Sequence, residues 1–157
     1  MMEEMINDAK VALASTFAMY LKAHNYHWNV EGADFPQLHD FFGNLYQELF
    51  GAVDPIGEHI RAMDSYCPGS FTRFAELSVV ADELKIPAAV EMVRRLAEDN
   101  SNVRETFRKA AASAEAGGDI GAANFFQERF DAHSKHGWML NAILKRNGAA
   151  APTTPKK

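Results

Sequence analysis

An all-α fold, a four-helix bundle, is what this sequence predicts, and three observations carry the prediction. Apolar residues recur at steps of three and four along four long segments, the spacing of one helical face. Alternation with period two, the mark of a strand, is almost absent. Breaker residues gather between the segments, and the gaps are short, long and short in turn, which suits two helical hairpins joined by one crossing connection.

The first segment runs from about Glu3 to Asn29, with Leu13, Phe17, Tyr20, His24 and His27 on its expected inner face. Gly32 to Pro36 interrupts it. The second runs from about Pro36 to Asp64 and carries Leu38, Phe42, Leu45, Leu49, Val53, Ile56 and Ile60. Pro55 removes a backbone donor and is expected to kink this helix without ending it, because the apolar period continues on both sides. An irregular connection follows from Ser65 to Ile86, with Pro68, Gly69 and one short helical turn expected around Phe74 to Leu77. The third helix is expected from near Pro87, a residue suited to a first turn, to Gly117-Gly118. Asp119 suits the N-cap of a fourth helix that carries Phe126, Phe130, Leu140 and Leu144 to about Arg146. One domain is thus expected over residues 1–146, followed by a disordered tail over 147–157 that has no periodicity.

Bulk properties narrow the function. The net charge of −5 speaks against a surface that attracts phosphate backbones everywhere, since such binding needs Lys and Arg. No run approaches the roughly 20 apolar residues of a membrane span. The opening Met-Met-Glu-Glu-Met is acidic where a secretory signal is basic, so a soluble, cytoplasmic protein is expected. The lone Cys67 lies in an expected loop and reads as a passive thiol.

The chemistry-bearing residues are unevenly spread. His24 and His27 stand near the end of the first helix, His39 near the start of the second, and Asp54 and Glu58 one turn apart further along it. Imidazole with carboxylate suits iron, manganese or zinc. His27 and His39 flank one hairpin turn and lie close together, whereas Asp54 is fifteen residues beyond His39, or roughly 22 Å along a helix. One ion cannot span that. Either the two groups are unrelated, or two chains pair antiparallel so that histidines of one meet carboxylates of the other at a two-fold interface.

The run His-Asn-Tyr-His-Trp-Asn-Val-Glu-Gly-Ala-Asp-Phe-Pro-Gln-Leu-His, from His24 to His39, resembles the signature of the Dps family, the mini-ferritins that protect DNA during starvation. Asp54-Pro-Ile-Gly-Glu58 resembles the carboxylate half of that signature, and His133 to Leu140 a pattern in the last helix. The resemblance implies a ferritin-like bundle assembled into a hollow dodecamer. It also implies iron sites at two-fold interfaces, made of His27 and His39 from one subunit with Asp54 and Glu58 from its partner. There Fe(II) would be oxidised by hydrogen peroxide or O2, a ferroxidase activity, and stored as Fe(III). The competing reading is a ferritin-like cage that binds metal or compacts DNA with little oxidation.

Two departures from the family pattern stand out. Gly43 occupies the position, four residues after the second histidine, where the family usually has aspartate, and His59 follows the expected ligand Glu58 where arginine is common. A weak second iron position, or one completed by His24 or His59, follows as a hypothesis. Trp28 reads first as a packing aromatic, and His133 and His136 as packing and hydrogen-bonding residues. Asp119, Asn124 and Glu128 resemble the acidic positions of the family's three-fold pores, and equally fit a solvated face with an N-cap. Direct DNA binding has thin support: the last residues offer only Lys145, Arg146, Lys156 and Lys157, so protection by removal of iron and peroxide is the expectation.

Overall fold

The computed structural model describes residues 1–145, and the expected tail, with Arg146, lies outside them. Five helices follow in order: α1 (Met2–Asn29), α2 (Phe35–Ala62), α3 (Phe71–Leu77), α4 (Ala89–Ala116) and α5 (Ile120–Leu144). Among the described residues there is no strand. Helices α1 and α2 form one hairpin and α4 and α5 another, α1 packs on α4, and the short α3 lies against α1.

Local chemistry sets the boundaries. α2 stops two residues before the expected Asp64, because Asp64 takes the left-handed conformation at φ 58°, which Asp tolerates better than most side chains. It passes through Pro55 without a break; both Pro55 and Gly51, whose carbonyl loses its donor there, face solvent. α3 is longer than expected and begins at Phe71, where Ser70 caps it by accepting from the Arg73 amide. α4 begins at Ala89 rather than near Pro87, which lies in the extended chain leading to it. Gly118, at φ 76°, turns the chain between α4 and α5, and Asp119 caps α5 as expected by accepting from the Ala122 amide.

The core differs from the expected stripe in one respect. On α1 the fully buried line is Ala9, Leu13, Met19, Ala23 and Tyr26, whereas Phe17, Tyr20, His24 and His27 are only partly buried. The buried line mixes small Ala9 and Ala23 with the large side chains of Leu13, Met19 and Tyr26, and Phe17, Tyr20, His24 and His27 lie to one side of it. Buried Leu38, Phe42, Leu45, Leu49, Ile56 and Ile60 of α2 meet Met92, Val93, Leu96, Val103 and Phe107 of α4 and Phe126 and Leu140 of α5 in one core. Among the described residues no helix is long and apolar enough to cross a membrane.

The long connection is pinned where α1 ends. The Tyr26 hydroxyl donates to Glu83 (2.6 Å), and Arg95 of α4 pairs with the same carboxylate. Burial pushes Glu83 up, but these two donors outweigh it and hold the carboxyl at about 2. The hairpin turn that carries the histidines therefore sits on a braced end of the bundle.

Candidate metal centre

His27, in the last turn of α1, and His39, in the second turn of α2, come together as expected. Their rings stack with centroids 3.8 Å apart and planes 20° apart. Each ring reaches the backbone of the other: His27 Nδ1 donates to the His39 carbonyl, and His39 Nδ1 to the His27 carbonyl, both at 2.7 Å. Helix geometry explains the pairing. The His27 carbonyl belongs to the last turn of α1, where carbonyls lack intrahelical partners. His39 Nδ1 supplies one.

The consequence is chemical. A carbonyl oxygen can only accept, so both Nδ1 atoms carry a proton, and in the neutral imidazole the lone pair of each ring is then on Nε2. This is the outer-shell arrangement that fixes the tautomer of a metal-ligating histidine. Lone pairs lie in the ring planes, and two nearly parallel planes cannot aim at one ion at the usual 2.0–2.1 Å.

Gly43 lies directly against this pair. A Cβ built there would meet His27 Cε1 and Nδ1, each at 3.1 Å. His24 flanks the pair, with its centroid 6.0 Å from that of His27. Tyr46 stacks on it at 3.8 Å and Trp28 also lies 3.8 Å away, while its Nδ1 shares a 3.1 Å hydrogen bond with the Tyr20 hydroxyl. Burial, then the neighbouring His27, lowers its pKa. His24 thus packs between Tyr46 and Trp28 with its δ nitrogen engaged by Tyr20. His59 stacks on Phe125 of α5 at 4.3 Å, turned into its own bundle.

Asp54 and Glu58 are exposed on α2, one turn apart, and no hydrogen bond or ion pair holds either of them among the described residues. Within one chain they do not join the histidines. Among the described residues no group of three or more His, Cys, Asp or Glu side chains could hold a metal ion. One chain presents two half-sets of donors: paired histidines at one end of α2, paired carboxylates towards the other.

The remaining candidates settle into structural roles or stay apart. Asp119 is the cap of α5, and Asn124 donates to Glu128 across one exposed turn at 3.3 Å. His133 is fully buried, donating from Nδ1 to Asn100 Oδ1 at 2.8 Å, and His136 Nε2 meets Glu48 Oε1 at 2.7 Å, so both are packing and hydrogen-bonding residues. Sequence reasoning missed the network around them. Arg129 of α5 forks onto both oxygens of Glu48 on α2, at 2.6 and 2.9 Å. Burial pushes Glu48 up, yet His136 and Arg129 override it and hold the carboxyl well below the usual range. Also missed was Lys22 of α1, paired at 2.8 Å with Asp99 of α4 inside the bundle. The signal was present: Lys22 and Asp99 stand on otherwise apolar stripes.

The sequence model of the ferritin-like domain family matches residues 9–147. General stress protein 20U of Bacillus subtilis is 29% identical over 144 residues, covering 92% of this chain and 99% of that protein. The DNA protection during starvation protein of Brevibacillus brevis is 28% identical over 133 residues, covering 85% and 89% of the two chains. Among solved structures, Dps from Staphylococcus aureus superposes with a TM-score of 0.87 at 30% identity, covering 90% of this chain and 95% of that one.

Proposed function

The chain belongs to the Dps family of the ferritin-like fold, and from that membership we propose that it is an iron-storing, DNA-protecting mini-ferritin whose ferroxidase site is shared between two subunits. The observation that carries the proposal is the reciprocal lock of His27 and His39, which holds two Nε2 lone pairs ready on the rim of the bundle. A partner chain running antiparallel brings its exposed Asp54 and Glu58 to these rings, and two-fold symmetry makes two equivalent sites. The assembly expected is a hollow dodecamer. A groove of about 1000 Å³ runs between α1, α3 and the long connection, with Leu21, Trp28, Phe71, Leu84 and Ile86 exposed along it.

The donor set fits Fe(II) as a substrate. Neutral imidazole nitrogen binds Fe(II) well, while carboxylate oxygens favour the harder Fe(III) and so assist oxidation. With one histidine for each of two ions, two Fe(II) can each give one electron to one hydrogen peroxide. The O–O bond breaks to two hydroxides and no radical is released. DNA is then protected by removal of iron and peroxide, and direct DNA contact is not required. The competing reading, a metal-binding or DNA-compacting cage with little oxidation, predicts a different result in the same experiment.

The test is anaerobic loading of the purified oligomer with Fe(II), followed by peroxide, in wild type, His39→Ala and Asp54→Ala. Oxidation well above the buffer rate that falls at least tenfold in both variants is the expected result. Wild-type oxidation no faster than in buffer would reject the ferroxidase and leave the cage.

A further inference from the structure

We propose that Gly43 is a positioning residue for His27: by carrying no Cβ it leaves the space in which the His27 ring lies on His39, and it thereby sets the metal affinity of a site to which it gives no ligand. The metal part of this inference rests on the ligand reading above; the steric part does not.

The argument begins with the carbonyl that His27 uses. In an α-helix the carbonyl of residue 39 points along the axis toward the amide of residue 43. A ring that donates to that carbonyl from outside must therefore lie shoulder to shoulder with residue 43. The observed contacts show this: the His27 edge bearing Nδ1 is the edge that a Cβ at position 43 would strike, at 3.1 Å from both Cε1 and Nδ1. The ring has little room to yield. His39 covers one face at 3.8 Å, Tyr46 approaches at 5.2 Å, and the Nδ1 bond at 2.7 Å ties it in place. A side chain at 43 pushes the ring by a few tenths of an ångström against its bond to the His39 carbonyl, and because the pair is reciprocal the strain reaches His39 as well.

The family pattern puts a carboxylate at this position. In this chain the room beside α2 is taken by the imidazole instead. Gly43→Asp therefore does not simply restore a missing ligand; it competes with His27 for the same space. A Cβ at 43 and His27 fit together only if the ring gives way by a few tenths of an ångström.

The experiment uses Co(II) as the probe on the assembled protein, with Gly43→Ala, Gly43→Asp and His27→Ala beside wild type. Affinity comes from calorimetry, coordination from the visible ligand-field bands, and folding from thermal melting. Gly43→Ala is expected to melt no lower than wild type, since alanine is the better helix former. Its Co(II) affinity should nevertheless fall about tenfold, with altered bands, as loss of an outer-shell bond does. Gly43→Asp should lose at least as much and bind no additional equivalent. Wild-type affinity and bands in Gly43→Ala, or an extra equivalent in Gly43→Asp, would overturn the proposal. If His27→Ala binds Co(II) as wild type does, the ligand reading fails on its own. The crystal structure of Gly43→Ala then decides the steric claim: a displaced His27 ring supports it, and an unmoved ring ends it.

Discussion

His133 shows most clearly what one buried side chain does to this protein. Burial, with the charge of Arg129 close by, lowers its pKa well below 6.5, so the folded protein keeps it neutral. The unfolded chain takes up a proton as pH falls through 6.5, and the folded chain does not. Stability contributed by neutral His133 is therefore complete above pH 6.5 and declines below it, by up to about 1.4 kcal/mol per pH unit. His24, lowered for the same first reason, acts in the same direction. Urea midpoints taken between pH 6.5 and 5.5 should fall with pH in the wild type and fall less steeply in His133→Gln. Equal slopes would show that His133 does not remain neutral in the folded state.

At the scale of the helices, the instructive feature is an ion pair where a bundle normally places leucine. Lys22 of α1 meets Asp99 of α4 at 2.8 Å, with both side chains almost fully buried. Burial raises the Asp99 pKa despite the ammonium beside it, so desolvation is not fully compensated. Removing one partner strands the other. Lys22→Met should destabilise the fold by about 3 kcal/mol, and Lys22→Met with Asp99→Leu should recover most of that loss. Equilibrium urea unfolding of the single and double variants measures both steps; a double variant no better than the single one would mean that the pair contributes more than its own desolvation removes.

For the whole molecule, the question is whether the two half-sets on α2 combine across chains. Subunits carrying His27→Ala and His39→Ala can be co-assembled with subunits carrying Asp54→Ala and Glu58→Ala. A mixed pair then holds one site with no ligands and one with all of them. With random mixing, about a quarter of the sites are intact, so Fe(II) oxidation should return to roughly a quarter of the wild-type rate while each parent alone is inactive. No recovery in assemblies shown to be mixed would place the chemistry within one chain and overturn the inter-subunit site.

Much of this was legible in the sequence. Local chemistry alone determines the all-α class, the four long helices, the Asp119 cap and the closeness of His27 and His39 across one short turn, because helical period, caps and hairpin geometry act over a few residues. The expected helix ends lie within about three residues of the observed ones; the differences at Asp64, Ser70 and Pro87 arise because several nearby residues could each begin or end a helix and the backbone adopts only one of them. What only the tertiary structure decided involves partners far apart in the chain. Lys22 finds Asp99, Glu48 finds Arg129 and His136, and of the α1 aromatics Tyr26 is fully buried while Phe17 and Tyr20 are only partly so. The place of His27 belongs to the same class: two imidazoles exchange backbone hydrogen bonds across two helices, and the room for that exchange is the side chain that Gly43 lacks. Spacing can bring residues near one another, but only packing decides which of their atoms remain free to act.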